Sequence, residues 1–235
     1  MKHPAPAPPA LGTHDGLAYA LFLPEEEPAI GVVTLHGAGS AKENHFEFAR
    51  AACAHGMAAL AFDARGHGRS EGAFGPGAFD DVAAMCELMR EHAPAVAIRG
   101  SSMGGFTGIH AAAAAAGVFA LVALCPATED FLLRGIRSGR LTDFELDRAP
   151  TEIWLESLSS TEAVARLAPD TALLLLHAEG DEQIPYTVSQ ELHEAAGEPK
   201  RMLIVPGGHH RSLQHDGEIQ AESLRFIERA AARAG

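Results

Sequence analysis

Six short apolar runs, each followed by turn residues, set the strongest limit on how this 235-residue chain can fold. They are Ile30-Gly31-Val32-Val33-Thr34-Leu35, Met57-Ala58-Ala59-Leu60-Ala61-Phe62, Ala95-Val96-Ala97-Ile98, Val118-Phe119-Ala120-Leu121-Val122-Ala123-Leu124, Ala172-Leu173-Leu174-Leu175-Leu176 and Arg201-Met202-Leu203-Ile204-Val205. Apolar on both faces, they read as strands buried in a parallel sheet. Helical patterns lie between most of them. Phe79, Val82, Cys86 and Met89 make one helical stripe, and Ser40-Ala41-Lys42-Glu43 has the form of a capping box that would start a helix before Cys53. This alternation predicts an α/β fold with a doubly wound, mostly parallel sheet. Residues 17–23, with Tyr19 and Phe22, are expected to add an antiparallel edge strand. One interval breaks the rhythm: 125–171 spends 47 residues between two strands, where a crossover needs about a dozen or more. A small helical lid inserted after the sixth strand, at about 127–168, is the expected use of that surplus. The chain then divides into a flexible tail over 1–10 and a single domain over 11–235.

The 31 acidic and 18 basic residues leave a net charge of −13, which works against docking on a phosphate backbone or an anionic bilayer. Neither a nucleic acid nor a membrane is an expected partner. Cys53, Cys86 and Cys125 include no CxxC pair and sit in apolar surroundings, as buried reduced thiols do. No apolar run reaches the length of a spanning helix, and Met1-Lys2-His3-Pro4-Ala5-Pro6 has prolines where a signal peptide needs an apolar stretch. A cytoplasmic location is expected.

Chemistry gathers in the turns. After the strand 95–98 the chain reads Arg99-Gly100-Ser101-Ser102-Met103-Gly104-Gly105-Phe106 and enters a helical run. This is G-x-S-x-G between strand and helix. A serine becomes a nucleophile when its hydroxyl is exposed, close to a base and beside a helix N-terminus. A tight turn provides that setting but crowds the backbone, so small residues must flank the serine, and Gly100 and Gly104 do. Ser101 shares the turn without such paired glycines. His36-Gly37-Ala38-Gly39-Ser40 follows the strand 30–35. Two later strand ends carry His177-Ala178-Glu179-Gly180-Asp181-Glu182-Gln183-Ile184-Pro185 and Pro206-Gly207-Gly208-His209-His210-Arg211, which place an acid and a base on the same sheet edge as Ser102.

These motifs resemble the α/β-hydrolase superfamily over roughly residue 17 onward. Phe62-Asp63-Ala64-Arg65-Gly66-His67-Gly68-Arg69-Ser70 is similar to the D-x-R-G-H-G-x-S turn of its serine esterase and lipase branch. His36-Gly37-Ala38-Gly39 and Gly100-Ser101-Ser102-Met103-Gly104-Gly105 resemble its monoacylglycerol-lipase-like and dienelactone-hydrolase-like members. Asp181, four residues before Pro185, sits where the family's G-x-x-D-x-x-V-P acid sits, with Ala178 in place of the usual glycine. The resemblance implies a triad of Ser102, Asp181 and His210 and an oxyanion hole from the backbone N–H groups of Ala38 and Met103. His210 fits the family's Pro-Gly-x-x-His spacing, whereas a Gly-Gly-His reading selects His209. Glu182 and the Glu129-Asp130 pair are alternative acids, and His67 is expected to brace its turn through hydrogen bonds.

The implied activity is hydrolysis of carboxylic esters with small or medium acyl chains through an acyl-enzyme, acting on a small-molecule ester, with Phe131, Leu132 and Trp154 of the lid touching substrate. Serine at the elbow departs from the aspartate of dehalogenases and epoxide hydrolases and from the cysteine general in dienelactone hydrolases. The same triad serves thioesterases, peptidases and C–C hydrolases, and a non-catalytic ligand receptor on this fold would show a broken triad. The other histidines lack metal-ligand spacing and no glycine-rich phosphate cradle follows a strand, so neither metal nor cofactor is expected. Arg134, Arg137, Arg140 and Arg148 in the lid are expected to form a solvated helix face, the alternative being a pairing with a substrate carboxylate.

Overall fold

The computed structural model describes residues 8–114 and 117–234, so most of the expected 1–10 tail lies outside the described residues. Ala10 already opens a strand: β1 (Ala10–His14) pairs antiparallel with β2 (Leu17–Phe22) through a hairpin whose two turn residues, Asp15 and Gly16, both have positive φ. Two such residues make the turn whose twist matches the flanking strands. The remaining strands are β3 (Ile30–Leu35), β4 (Ala58–Phe62), β5 (Ala95–Ser101), β6 (Ala120–Leu124), β7 (Ala172–Ala178) and β8 (Lys200–Val205). Sheet order is β1-β2-β4-β3-β5-β6-β7-β8; β2 is antiparallel to β4, and every later pairing is parallel.

Alternation inside the apolar runs sends successive residues to opposite faces. Val33, Leu35, Leu60, Ile98, Leu121 and Leu175 pack towards helices α2 (Ala78–Arg90), α3 (Met103–Ala113) and α7 (Thr187–Ala195). Val32, Ala59, Ala97, Val122 and Leu174 face α1 (Phe46–Ala54) and α8 (Gly217–Ala234). Both faces are therefore covered, as continuous apolar strands require. Among the described residues no helix is long and apolar enough to cross a membrane.

Two local expectations are corrected. Ser40 is no helix cap: a 3-10 turn spans Lys42–His45 ahead of α1, and the Ser40 hydroxyl oxygen instead accepts from Asn44 Nδ2 at 2.8 Å. β5 does not stop at Ile98, because Arg99 is buried in the strand with its guanidinium carbon 4.2 Å from the Phe48 ring centre. Stacking on an aromatic face lets a charged residue continue a buried strand.

The interval after β6 holds α4 (Glu129–Arg137), α5 (Arg148–Glu156) and α6 (Ser160–Ala165). Helices α4 and α5 pack on each other, whereas α6 lies against α3 and α7 on the body of the sheet. Chain direction across the sheet reverses between β3 and β5: β4 lies on one side of β3 and β5 on the other. That reversal opens a crevice at the carboxyl ends of the strands, the usual ligand position in open α/β sheets.

Candidate active site

The turn from β5 into α3 holds Ser102 at φ 52°, ψ −117°, a conformation that L-residues rarely adopt. Surrounding structure enforces it. The Ser102 N–H donates to the Leu124 carbonyl at 2.9 Å, and the Ser102 carbonyl accepts from Phe106 and Ala127. A Cβ on Gly100 would collide with the Gly104 carbonyl, and one on Gly104 with the Leu35 carbonyl. The two glycines thus allow strand, elbow and helix to touch backbone to backbone.

Ser102 Oγ lies 2.9 Å from His210 Nε2, and His210 Nδ1 lies 2.7 Å from Asp181 Oδ2. A carboxylate can only accept, so Nδ1 carries the proton and Nε2 is free to accept from the serine hydroxyl. The other Asp181 oxygen, Oδ1, accepts the N–H groups of Gln183 and Ile184, each at 2.9 Å. Burial opposes ionisation of Asp181, but hydrogen bonds from His177, His210 and the Ile184 N–H outweigh it and hold the carboxyl well below the usual carboxylate range. His209 is exposed and faces its own turn, accepting from the Arg211 N–H. Among the alternative acids, Glu182 accepts from the backbone N–H of His210. Glu129 instead accepts from Ser160 N–H at the start of α6, and Ser101 is turned towards Gln214 Oε1 at 3.1 Å.

The turn after β3 faces the elbow, with Gly37 against Ser102 Cβ. Its donors are distributed by two histidines. His36 Nε2 accepts from the Ala64 N–H at 2.9 Å, and His67 Nε2 accepts from the Gly39 N–H at 3.2 Å. Burial pushes the His67 imidazole down to about 4 and lowers His36 as well, so both are neutral braces between the turns after β3 and β4. Gly39 N–H is thereby occupied, while among the described residues the Ala38 and Met103 N–H groups have no intramolecular acceptor. Met103 stands in the first turn of α3, whose dipole adds to its donor strength.

A cavity of about 220 Å³ opens above Ser102. Ala38, Phe131, Leu132, Gln214 and His210 line it, with the exposed Arg140, Arg211, Asn44 and Gln183 towards the mouth. Trp154 departs from expectation: it is not in the lining but packs 5.0 to 6.1 Å from the rings of Phe79, Phe74 and Phe106. Its indole is too large and apolar to leave that cluster for a polar cavity.

Solved structures with this architecture cover almost the whole chain. Est1E of Butyrivibrio proteoclasticus, solved with ferulic acid, superposes with a TM-score of 0.77 at 19% identity, covering 95% of this chain and 99% of that one. A monoacylglycerol lipase of Paleococcus ferrophilus gives 0.70 at 21% identity, covering 92% and 98%. A family model described as serine aminopeptidase, S33, matches residues 26–136, across the turn after β3, the elbow and α4. The chain has the α/β-hydrolase fold. A curated relative, the uncharacterized protein YfhR of Escherichia coli, is 35% identical over 71 residues; the match spans 29% of this chain and 25% of that protein.

Within this site, two contributors were not among the residues expected from the sequence. His177, the penultimate residue of β7, is fully buried; its Nε2–H is shared between the Ile184 carbonyl at 2.9 Å and Asp181 Oδ2 at 3.3 Å, while Nδ1 accepts from the Ser189 hydroxyl at 2.7 Å. Cys125, in the left-handed region at φ 42°, brings a buried thiol against Asp181; burial and the adjacent carboxylate raise its pKa. The signal for His177 was its place directly after the apolar run 172–176, at i−4 from the acid. No signal in the sequence pairs Cys125 with Asp181, because they meet only through the β6–β7 pairing.

Proposed function

We propose that this chain is a serine hydrolase of carboxylic esters with small or medium acyl groups. The observation that carries the reading is the unbroken hydrogen-bond line from Ser102 through His210 to a deeply ionised Asp181, set on a strained elbow. Ser102 Oγ attacks the acyl carbonyl as His210 Nε2 takes its proton, and Asp181 stabilises the imidazolium that results. Negative charge on the carbonyl oxygen is met by the Ala38 and Met103 N–H groups, which need no reorganisation because nothing else holds them. His210 then returns the proton to the leaving alcohol. Water activated by the same imidazole releases the acid and restores Ser102. The cavity of about 220 Å³ with Phe131 and Leu132 in its wall suits a compact acyl group, and a monoacylglycerol lipase among the structural neighbours agrees with ester chemistry.

Fluorophosphonate labelling followed by hydrolysis of 4-nitrophenyl esters from acetate to palmitate tests this. Label is expected on Ser102, with turnover highest for short and medium chains, and Ser102→Ala is expected to lower kcat by about 10⁴-fold or more. Turnover surviving in Ser102→Ala would remove the assignment. A peptidase reading is favoured by the family description and by Asp143, a carboxylate in the cavity wall against Gly39 that suits an amine. Amino-acid 4-nitroanilides cleaved faster than the esters would put it first.

A further inference from the structure

The cavity mouth is charged against the grain of the molecule. Arg140, just beyond α4, and Arg211, next to His210, come from two separate loops to line the one cavity that holds Ser102. Arg140 Nε reaches only the Ser138 hydroxyl, at 3.1 Å, and among the described residues neither guanidinium enters an ion pair. Of the other lid arginines, Arg137 pairs with Glu152 and Glu156 and Arg148 with Glu152 at 2.6 Å, while Arg134 stands outside the cavity wall. Among the described residues Asp143 is the one acid in the cavity wall, and it is seated against Gly39. The rest of the polar lining is amide, hydroxyl and imidazole, from Asn44, Gln183, Gln214, His210 and His215 among others.

A chain of net charge −13 repels anions as a whole, so two unpaired arginines at the site entrance reverse the field where a substrate must pass. A guanidinium offers a planar fork of donors matched to a carboxylate. We infer that the substrate carries a free carboxylate, held by Arg140 and Arg211 while Ser102 attacks its ester; this rests on the hydrolase reading above. A single negative charge fits better than a doubly charged phosphate, because Asp143 and the acidic body penalise the second charge. The substrate class is therefore a monoester of a dicarboxylic acid, or an ester whose alcohol part bears a carboxylate.

The test compares mono-4-nitrophenyl glutarate with neutral 4-nitrophenyl butyrate. The kcat/KM ratio is expected to favour the glutarate at low salt by about tenfold and to shrink as salt screens the arginines. Arg140→Gln and Arg211→Gln should each reduce that ratio severalfold, whereas Arg134→Gln, on α4 but outside the cavity wall, should leave it in place. Brisk hydrolysis of butyrate with a ratio near one, or a ratio indifferent to both cavity variants, overturns the inference and spares the hydrolase reading. Calorimetry of monomethyl glutarate on the Ser102→Ala protein reads recognition without chemistry. Binding that disappears in Arg140→Gln and Arg211→Gln supports the inference even where neither ester turns over, an outcome that would remove only the hydrolase reading. Absent binding, or methyl phosphate competing better than the carboxylate, overturns it.

Discussion

A methyl group is enough to break the elbow. Built on Gly100 it would fall inside the contact radius of the Gly104 carbonyl oxygen; Gly100 cannot retreat because β5 pairs with β3 and β6 on either side, and Gly104 is itself packed against the Leu35 carbonyl. Gly100→Ala is expected to lower stability by about 3 kcal/mol or more and to abolish ester turnover, both read on one preparation by thermal unfolding and initial rates. Gly139→Ala is the control: φ is +67° there but nothing lies within 4 Å of the added atom, so strain alone should cost about 1 kcal/mol and turnover should persist. Equal losses in the two variants would show that conformation, not collision, governs the turn. Gly100 and Gly104 were legible in the sequence because their role depends on spacing along the chain. Cys125 was not, since its contact with Asp181 arises across neighbouring strands, and His177 was not, since only the fold shows that its ring turns back onto the acid four residues later. Arg140 illustrates the same limit: its sequence context matches that of Arg137, and only the distribution of glutamates in space separates a free guanidinium from a paired one.

At the scale of elements, the insertion after β6 is held down by aromatic packing. Trp154 on α5 meets Phe74, Phe79 and Phe106, and Thr151 Oγ1 donates to the Phe74 carbonyl at 3.2 Å. These contacts form a core apart from the two that flank the sheet. Trp154→Ala is expected to cost about 2 to 3 kcal/mol, with faster deuterium uptake confined to α4 and α5 and the strands unaffected. Uptake rising equally across β5 and β6 would mean the lid and sheet open as one unit. The presence of an insertion followed from chain length alone, because 47 residues exceed any simple crossover. Its partition did not. Glu129, at the start of α4, accepts from the Ser160 N–H that begins α6, so α6 is tied into the body as the crossover helix, and a sequence window cannot show which helix a distant carboxylate will cap. The same reason defeated the Ser40 capping box: the local pattern was present, but Asp63 claimed the Lys42 N–H at 2.8 Å and its ammonium at 2.6 Å.

For the molecule as a whole, acid should act first through histidines. Burial pushes His67 and His110 from 6.5 down to about 4 and lowers His36 and His45 too. The net charge was plain from composition, but a histidine's burial is a property of the fold. A folded-state value below the unfolded one means the unfolded chain binds more protons between the two, so stability rises with pH across that window. The contribution is complete above about 6.5 and lost as pH falls towards 4, about 3 kcal/mol for each of His67 and His110. Asp63 and Asp181 have depressed values, Asp63 because Lys42 and the Arg69 N–H outweigh its burial. Their stabilisation is present above the ordinary carboxylate range and is lost only as pH falls further. Unfolding should thus begin in the histidine window, ahead of the carboxylates. His110→Phe isolates one titration: the ring lies stacked on Phe79 at 4.9 Å and its Nε2 bond to Ser160 is secondary, since Glu129 already binds that hydroxyl. Calorimetry between pH 8 and 4 should show the variant gaining on the parent as pH falls through the window, by about 3 kcal/mol at its lower end. A difference between the two that stays constant with pH would mean that His110 is protonated in the fold at no cost.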